Sequence, residues 1–229
     1  MTGLAVRERR EEQMDDPALD PVVYDQVLKD LSRVNWWTLA ARPTLAFLER
    51  ATKGMERFRL LDVGFGQGDM LRSIARWARR RGVEAELVGV DLNEKSVASA
   101  RTSTPPGWGI DYVAGDYGEV PGPFDFVISS LVAHHMSDDQ LKRFLRFMEA
   151  EAGKGWLVND LHRHRFAYLG FPLLALSLGV HRIVREDGRL SIARSFRPQE
   201  WRAILEEAGT GEARVVRRFP FRLCVERLR

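Results

Sequence analysis

The feature that most constrains the fold of this chain is an alternation of short apolar runs with helical intervals, which begins at Arg59. Five of the runs are typical of strands buried on both faces of a parallel sheet: RLLDVGFG, AELVGVDL, IDYVAGD, FDFVISS and GWLVNDL. Two of the intervals, residues 69 to 82 and 137 to 153, have helical apolar spacing and end in glycine. The alternation predicts right-handed crossover units and therefore an α/β fold.

The chain on either side of this alternation completes the predicted organisation. Residues 1 to 54 are predicted to form a charged arm and cap helices, with Asp20-Pro21 supplying the first helix start. Residues 55 to 229 are predicted to form one domain that closes with a helix and two strands joined near Pro220. Within it, the Asp187-Gly188 pair lies between alternating residues of the stretch from 182 to 197, which predicts a β-hairpin.

Composition excludes several classes of protein. Hydrophobic residues make up 45% of the 229 residues and charged residues 29%, which is typical of globular proteins and not of disordered or fibrous chains. The single cysteine, Cys224, excludes an intramolecular disulfide and a cysteine-rich zinc site, so we expect a cytoplasmic protein without a bound metal. We also expect no transmembrane helix, because no apolar run reaches about 20 residues, and no nucleic-acid partner, because the arginines form no dense basic block.

A glycine-rich turn provides the sharpest sequence motif. The apolar run ending at Val63 leads into Gly64, Gly66 and Gly68, and a helix is predicted to start near Asp69. Glycines on a strand-to-helix turn allow positive φ and a close approach of a ligand to the backbone. The GxGxG spacing differs from the GxGxxG dinucleotide fingerprint, so a nicotinamide cofactor is disfavoured.

Carboxylates occur at or near the ends of three consecutive predicted strands. Asp62 lies inside the first apolar strand, where an ionised carboxylate is costly unless it has a partner. Asp91 ends the second strand, where it is placed to accept hydrogen bonds from a ribose diol. Asp116 follows the third strand and is placed to accept from an adenine amine, with Leu92 and Tyr117 flanking the base.

Together these motifs resemble a known family. LLDVGFGQGD, VGVDL, AGDYGEVPGPFDFVISS and AHHMSDD are similar to the ordered motifs of class I S-adenosylmethionine-dependent methyltransferases, and the resemblance covers residues 60 to 155. The similarity is to the small-molecule branch, which includes the ubiquinone and menaquinone enzymes and bacterial methyltransferases of polyketide-type phenolic products. It implies a Rossmann-like fold with a mainly parallel seven-stranded sheet, helices on both of its faces and a helical cap.

The resemblance also implies a cofactor and residues that hold it. The cofactor would be S-adenosyl-L-methionine, which becomes S-adenosyl-L-homocysteine (SAH) after transfer. Gly64, Gly66 and Gly68, with Asp62 beside them, would pack under its methionine part. Its other predicted contacts are Asp91 to the ribose hydroxyls, Asp116 to the adenine amine, Leu92 and Tyr117 beside the base, and Ser129 or Ser130 along the cleft.

Methyl transfer to a hydroxyl group requires a base, and histidine titrates in the right range. His162, at the end of the fifth predicted strand, is our first candidate, with Asp160 to orient it. His135 is the second, although the pair His134 and His135 taken alone fits a structural or cofactor-side role better. A metal site built from His162, His164 and Asp160 is disfavoured, because these residues alternate along an extended chain.

An apolar stretch indicates the acceptor pocket. Residues 166 to 180 are almost wholly apolar, too short to span a membrane and interrupted by Pro172, which suits a buried insertion or lid. The predicted pocket residues are Trp36, Trp37, Phe166, Leu169 and Phe171. They predict a small apolar acceptor. The resemblance implies an aromatic acceptor methylated on a phenolic or enolic hydroxyl, such as a polyketide, phenolic lipid or quinone-like natural product. C-methylation of a quinol ring, non-catalytic cofactor binding, transient contact with a membrane surface, and a monomeric or homodimeric state all stay open.

Overall fold

The computed structural model of the protein describes residues 4–229, which contain a seven-stranded sheet and eight α-helices. The strands are β1 Arg57–Val63, β2 Glu84–Asp91, β3 Ile110–Ala114, β4 Phe124–Ser130, β5 Ala152–Leu161, β6 Arg214–Arg218 and β7 Arg222–Leu228. The helices are α1 Pro21–Trp37, α2 Ala41–Ala51, α3 Asp69–Arg81, α4 Glu94–Ser103, α5 Asp138–Glu151, α6 Arg165–Ser177, α7 Arg182–Arg194 and α8 Pro198–Ala208.

The sheet confirms the predicted architecture. Its strand order is β3-β2-β1-β4-β5-β7-β6, and β7 runs antiparallel to both of its neighbours while the first five strands are parallel. The order reverses between β1 and β4, because the chain moves outward from β1 to β3 and then returns to the other side of β1. In open α/β sheets, ligands bind in the crevice at the carboxyl ends of the strands at such a switch point.

The core lies on both faces of the sheet, which explains why its strands are wholly apolar. Leu60 and Leu61 are both fully buried, and they belong to separate clusters on opposite faces because successive side chains of a strand alternate. Phe47 of α2 and Ile74 of α3 pack in the cluster of Leu60, and Trp201 of α8 packs in that of Leu61. The two layers hold the central strand ends in place.

A helical cap covers the carboxyl edge of the sheet. Val27 and Val34 of α1 form a third apolar cluster with Ala175 of α6 and Val184 of α7. Asp20 caps α1, since its Oδ1 accepts hydrogen bonds from the backbone N–H groups of Val22 at 2.8 Å and Val23 at 3.2 Å. No helix in the described part of the chain has the length and apolar character needed to cross a membrane.

The β-hairpin predicted from the Asp187-Gly188 pair is wrong, because residues 182 to 194 form α7. Tertiary contacts explain the pair instead. Asp187 accepts hydrogen bonds from the backbone N–H groups of Gln13 at 3.1 Å and Met14 at 3.0 Å. A Cβ on Gly188 would lie 2.3 Å from the ring of Phe171, so the glycine allows α6 and α7 to pack closely. The Asp187-Gly188 pair therefore holds α7 against the N-terminal arm and α6, and it does not form a turn.

Candidate active site

One cavity of about 860 Å³ lies between the carboxyl edge of the sheet and the helical cap. Its volume falls in the usual range for small-molecule sites, about 300 to 1,000 Å³. The ends of β1, β2 and β4 form its floor, and α1, α6 and α7 contribute to its walls. The cavity therefore occupies the crevice that the strand order creates.

The glycine turn after β1 forms part of this floor. The Gly64 N–H donates to the Val90 carbonyl at 2.7 Å, and the Gly66 N–H donates to Asp91 Oδ2 at 2.9 Å. Gly64 and Gly66 line the cavity with φ values of 77° and 53°, in the left-handed region that favours glycine. Gly68 lies behind the floor, where a Cβ would meet the Tyr112 hydroxyl oxygen at 2.5 Å. Two of the three predicted glycines thus face the ligand space.

Alanine substitutions at Gly64 and Gly66 separate the cost of a positive φ from the cost of a steric clash. A Cβ at Gly64 would lie 2.4 Å from Val132 Cγ2, whereas a Cβ at Gly66 would meet nothing closer than Leu28 Cδ2 at 3.8 Å. Both alanine variants carry the cost of a positive φ, but only Gly64→Ala adds a clash. We expect Gly64→Ala to lower the free energy of unfolding by about 1–3 kcal/mol more than Gly66→Ala, as measured by denaturant unfolding. Equal losses would contradict this packing.

Asp91 is held at the edge of the cavity. Its Oδ1 accepts from the Asn93 N–H at 2.9 Å, and its Oδ2 accepts from Gly66. Burial raises the pKa of Asp91, and these two backbone donors lower it in part. Leu92 beside it also lines the cavity and is 79% exposed, so its side chain is free to contact a ligand.

Asp62 is the buried carboxylate that the sequence predicts to need a partner. Its side chain lines the cavity, and neither carboxylate oxygen has a hydrogen-bond partner among the described residues. Burial, and then the charges of Asp69 and Asp91, raise the pKa of Asp62 well above its ordinary value. An electropositive ligand group in the cavity would lower this cost.

The raised pKa of Asp62 predicts a pH effect on stability. Above pH 3.8, its ordinary pKa, the Asp62 carboxyl is ionised in the unfolded chain but still protonated in the folded protein. The free energy of unfolding of the ligand-free protein therefore falls as pH rises from 3.8 through the raised pKa of the folded state. Asp69 and Asp91 also have raised pKa values and act in the same direction. We expect Asp62→Asn to reduce the pH slope of the unfolding free energy, measured by urea titration. An unchanged slope would contradict the raised pKa.

Two histidines form the most polar part of the cavity wall. The Nδ1 atom of His135 lies 2.8 Å from Asp15 Oδ2, and that of His134 lies 2.7 Å from Asp160 Oδ1. Burial lowers the pKa of His135, but the hydrogen bond to Asp15 and the charge of Glu12 outweigh it, so the net pKa is raised. A carboxylate on Nδ1 leaves Nε2 free to accept a proton.

Glu12 lies close to both imidazoles. Neither Glu12 nor Asp15 was predicted from the sequence. Glu12 Oε1 lies 3.7 Å from His134 Nε2, and Oε2 lies 3.9 Å from His135 Nε2. These three side chains could hold a divalent ion, but Arg194 Nε already lies 3.8 Å from Glu12 Oε1 and supplies a positive charge. The sequence shows only an excess of acidic residues among the first 20, which does not indicate that Glu12 and Asp15 contact the histidines.

His162, the first candidate base, does not line the cavity. Its ring lies 5.4 Å from that of His164, centroid to centroid. Burial, and then the positive charges of Arg217 and His164, lower the pKa of His162 to about 4. Asp160 bonds to His134 and the Leu161 N–H, so it is not available to orient His162. This placement argues against His162 as the base and favours His135.

The remaining predicted residues divide between the cavity and its surroundings. The cavity is lined by Trp37, Phe166, Phe171, Tyr117 and Ser130. Trp36 and Leu169 are 71% and 66% exposed and lie outside the lining, so they are not pocket walls. Ser129 is buried with its hydroxyl donating to the Val63 carbonyl at 2.8 Å. Asp116 is exposed and accepts from the Gly118 N–H at 2.8 Å.

Comparison with known proteins finds a family match for the central part of the chain. Residues 60–151 match the family model described as a methyltransferase domain. No curated protein sequence matches the chain.

Solved structures share the fold. Magnesium protoporphyrin IX methyltransferase (ChlM) from Synechocystis PCC 6803 with bound SAH has a TM-score of 0.56 and 16% identity, covering 95% of this chain and 91% of that one. The plantazolicin methyltransferase BpumL in complex with SAH has a TM-score of 0.60 and 15% identity, with coverages of 84% and 70%. PigF with SAH has a TM-score of 0.54 and 22% identity, with coverages of 73% and 49%.

Proposed function

Because residues 60–151 match the methyltransferase-domain family model and the fold is shared with solved methyltransferases, we propose that this protein transfers a methyl group from S-adenosyl-L-methionine to an oxygen atom of a small apolar aromatic acceptor. The observation that carries the proposal is the single cavity, which joins the glycine turn, His135 and an apolar mouth. A cofactor site and an acceptor site in one enclosed space are what methyl transfer requires.

The cofactor half of the cavity suits a sulfonium nucleoside. Gly64 and Gly66 bring the backbone of the turn to the cavity floor, and Asp91 supplies a carboxylate for the ribose hydroxyls. The unpartnered carboxylate of Asp62 is suited to an ammonium group such as that of the methionine part. Tyr117 and Leu92 line the same end and provide apolar surface for the base. When bound, the cofactor supplies an electrophilic methyl group.

The acceptor half is mainly apolar at its opening. Phe166 of α6 and Phe219 before β7 line the cavity while being 72% and 79% exposed, and Trp37 of α1 is 58% exposed. Large exposed apolar side chains around a cavity mouth indicate contact with an apolar ligand. A flat aromatic acceptor would cover them and place its polar edge toward the histidine pair.

His135 is the residue proposed to remove the acceptor proton. Its Nδ1 is engaged by Asp15, so Nε2 is the free nitrogen, and its ring lies on the cavity wall. The bound cofactor would supply its methyl group to the acceptor oxygen, with the sulfur keeping the electron pair of the carbon–sulfur bond. The hydroxyl proton passes to His135, whose positive charge Asp15 and Glu12 stabilise.

The extent of the cavity also helps to distinguish methyl transfer from the alternative of cofactor binding without catalysis. A protein that only binds the cofactor would need no space beyond the glycine turn, whereas this cavity continues to α6, α7 and the histidine pair. C-methylation of a quinol ring would use the same base, because it also begins with loss of a hydroxyl proton. The position of the new methyl group distinguishes it from O-methylation.

Incubating the purified protein with S-adenosyl-L-methionine and a panel of phenols and quinols tests the proposal. We expect a mass increase of one methylene unit in an apolar member of the panel, with formation of SAH, and NMR should place the methyl group on oxygen. Methylation on ring carbon would support the quinol alternative. Binding of SAH without turnover of any member would support the non-catalytic one.

A further inference from the structure

Arg222, the first residue of β7, is a buried cation in the cavity wall to which the proposed function assigns no role. Its side chain is 98% buried, since only 2% of its surface is exposed, and it lines the cavity. Nη2 donates to Thr38 Oγ1 at 3.1 Å, but Nε and Nη1 have no hydrogen-bond partner. A buried guanidinium with two unused donors is costly, because it has lost its water without gaining acceptors.

No carboxylate within the described residues supplies these acceptors. No ion pair within 4.0 Å is formed by Arg222 in the described part of the chain, although the charges of Asp160 and Asp69 act on it from farther away. Asp160 accepts from His134 and from the Leu161 N–H, and Asp69 accepts from Asn35 Nδ2 at 3.2 Å. Both acids therefore already have partners of their own.

The cavity wall beside Arg222 is mainly apolar, and Arg218 is its partner in the β6–β7 register. Phe221 precedes Arg222 in the chain, Leu161 is its partner in the β5–β7 register, and Leu39 and Ala40 follow Thr38 in the same lining. An arginine placed on such a surface binds planar anions through parallel N–H···O bonds, and it does so most strongly where water is excluded. A carboxylate is the ligand group that matches this fork.

We propose that Arg222 anchors a carboxylate group of a ligand bound in this cavity. The inference rests on the proposed function, which offers two bearers of the group: the amino-acid tail of the cofactor and an acidic substituent on the aromatic acceptor. The first would make Arg222 a cofactor-selectivity residue. The second would define the acceptor class as apolar aromatic acids.

Two pairs of probes differ only in the relevant group. SAH carries the amino-acid carboxylate, and decarboxylated SAH (S-adenosyl-3-thiopropylamine) lacks it but keeps the amine. The anion of 5-pentylsalicylic acid, here called pentylsalicylate, carries a free aromatic carboxylate, and 4-pentylphenol lacks it. Calorimetry would measure the first pair on the ligand-free protein and the second pair on the SAH-loaded protein. In Arg222→Met, we expect affinity for a carboxylate-bearing probe to fall about 10- to 100-fold, with the carboxylate-free match little changed.

Variants of the same chain control for folding and for general charge. Arg222→Lys retains the charge without the fork, so we expect a smaller loss than in Arg222→Met. Arg214→Met removes an exposed arginine of β6 and should change no affinity. Because Arg222→Met removes an unpaired buried cation, the ligand-free variant should unfold at no lower denaturant concentration than the wild type.

The outcomes distinguish the role of Arg222 from the proposed methyltransferase function. A loss confined to SAH identifies the cofactor tail as the bearer, and a loss confined to pentylsalicylate identifies the acceptor. If wild-type protein binds SAH but Arg222→Met shows no carboxylate-dependent loss in either pair, the role of Arg222 is overturned and the methyltransferase proposal stands. Failure of wild-type protein to bind SAH overturns the methyltransferase proposal itself.

Discussion

Replacing His135 with alanine should lower the turnover number by about 100- to 10,000-fold, the usual contribution of a positioned general base. The acceptor proton would then have to leave to water inside a largely enclosed cavity. The affinity for SAH should change little, because the His135 side chain belongs to the acceptor half. Turnover would be followed by SAH formation, and affinity by calorimetry.

His162→Ala is the matched control, since it removes a second histidine that follows β5 but lies outside the cavity. We expect it to retain turnover. In the wild type, the acidic limb of the pH–rate profile should lie above the ordinary imidazole pKa of 6.5, because the pKa of His135 is raised and only its neutral form accepts a proton. A His162→Ala variant that loses activity while His135→Ala retains it would reverse the assignment.

Replacing Asp91 with alanine should weaken binding of SAH by about a hundredfold or more. The carboxylate is placed to accept from two ribose hydroxyls, and hydrogen bonds to a charged acceptor contribute about 1.5–3 kcal/mol each. The substitution also removes the acceptor of the Gly66 N–H, which fixes the turn under the cofactor. Calorimetric titration with SAH measures the loss.

Asp111→Ala provides the comparison for Asp91→Ala, because it removes an exposed carboxylate from the neighbouring strand β3. It should bind SAH like the wild type. Asp91→Asn, which retains one oxygen acceptor but not the charge, should give an intermediate loss. Wild-type affinity in Asp91→Ala would mean that the ribose is held elsewhere in the cavity.

Much of the fold follows from local patterns in the chain. Apolar runs such as the one containing Leu60 and Leu61 must be covered on both faces, and intervening helices of the right length can do this only in a parallel sheet with crossovers. The turn from Gly64 to Gly68 and the acid at Asp91 are fixed to strand ends. Their common location at one edge was therefore predictable before the structure.

Other parts of the site were not predictable, because their partners are distant in the chain. Asp15 meets His135 across 120 residues, and Arg222 meets Thr38 across 184. His162 was placed one position beyond the strand that ends at Leu161, where only the path of the backbone decides whether a ring enters the cavity. For Asp187 and Gly188, packing against the N-terminal arm and Phe171 overrode the local turn signal.

Local sequence patterns were enough to predict the sheet, its mainly parallel direction and the edge at which the cavity lies, because strand burial and glycine geometry are set by neighbouring residues. The tertiary structure alone decided which histidine faces the cavity, that the N-terminal arm supplies Glu12 and Asp15, and that Arg222 is buried without an acceptor. These depend on contacts between segments far apart in the chain, whose free energy arises only once the cap has packed on the sheet.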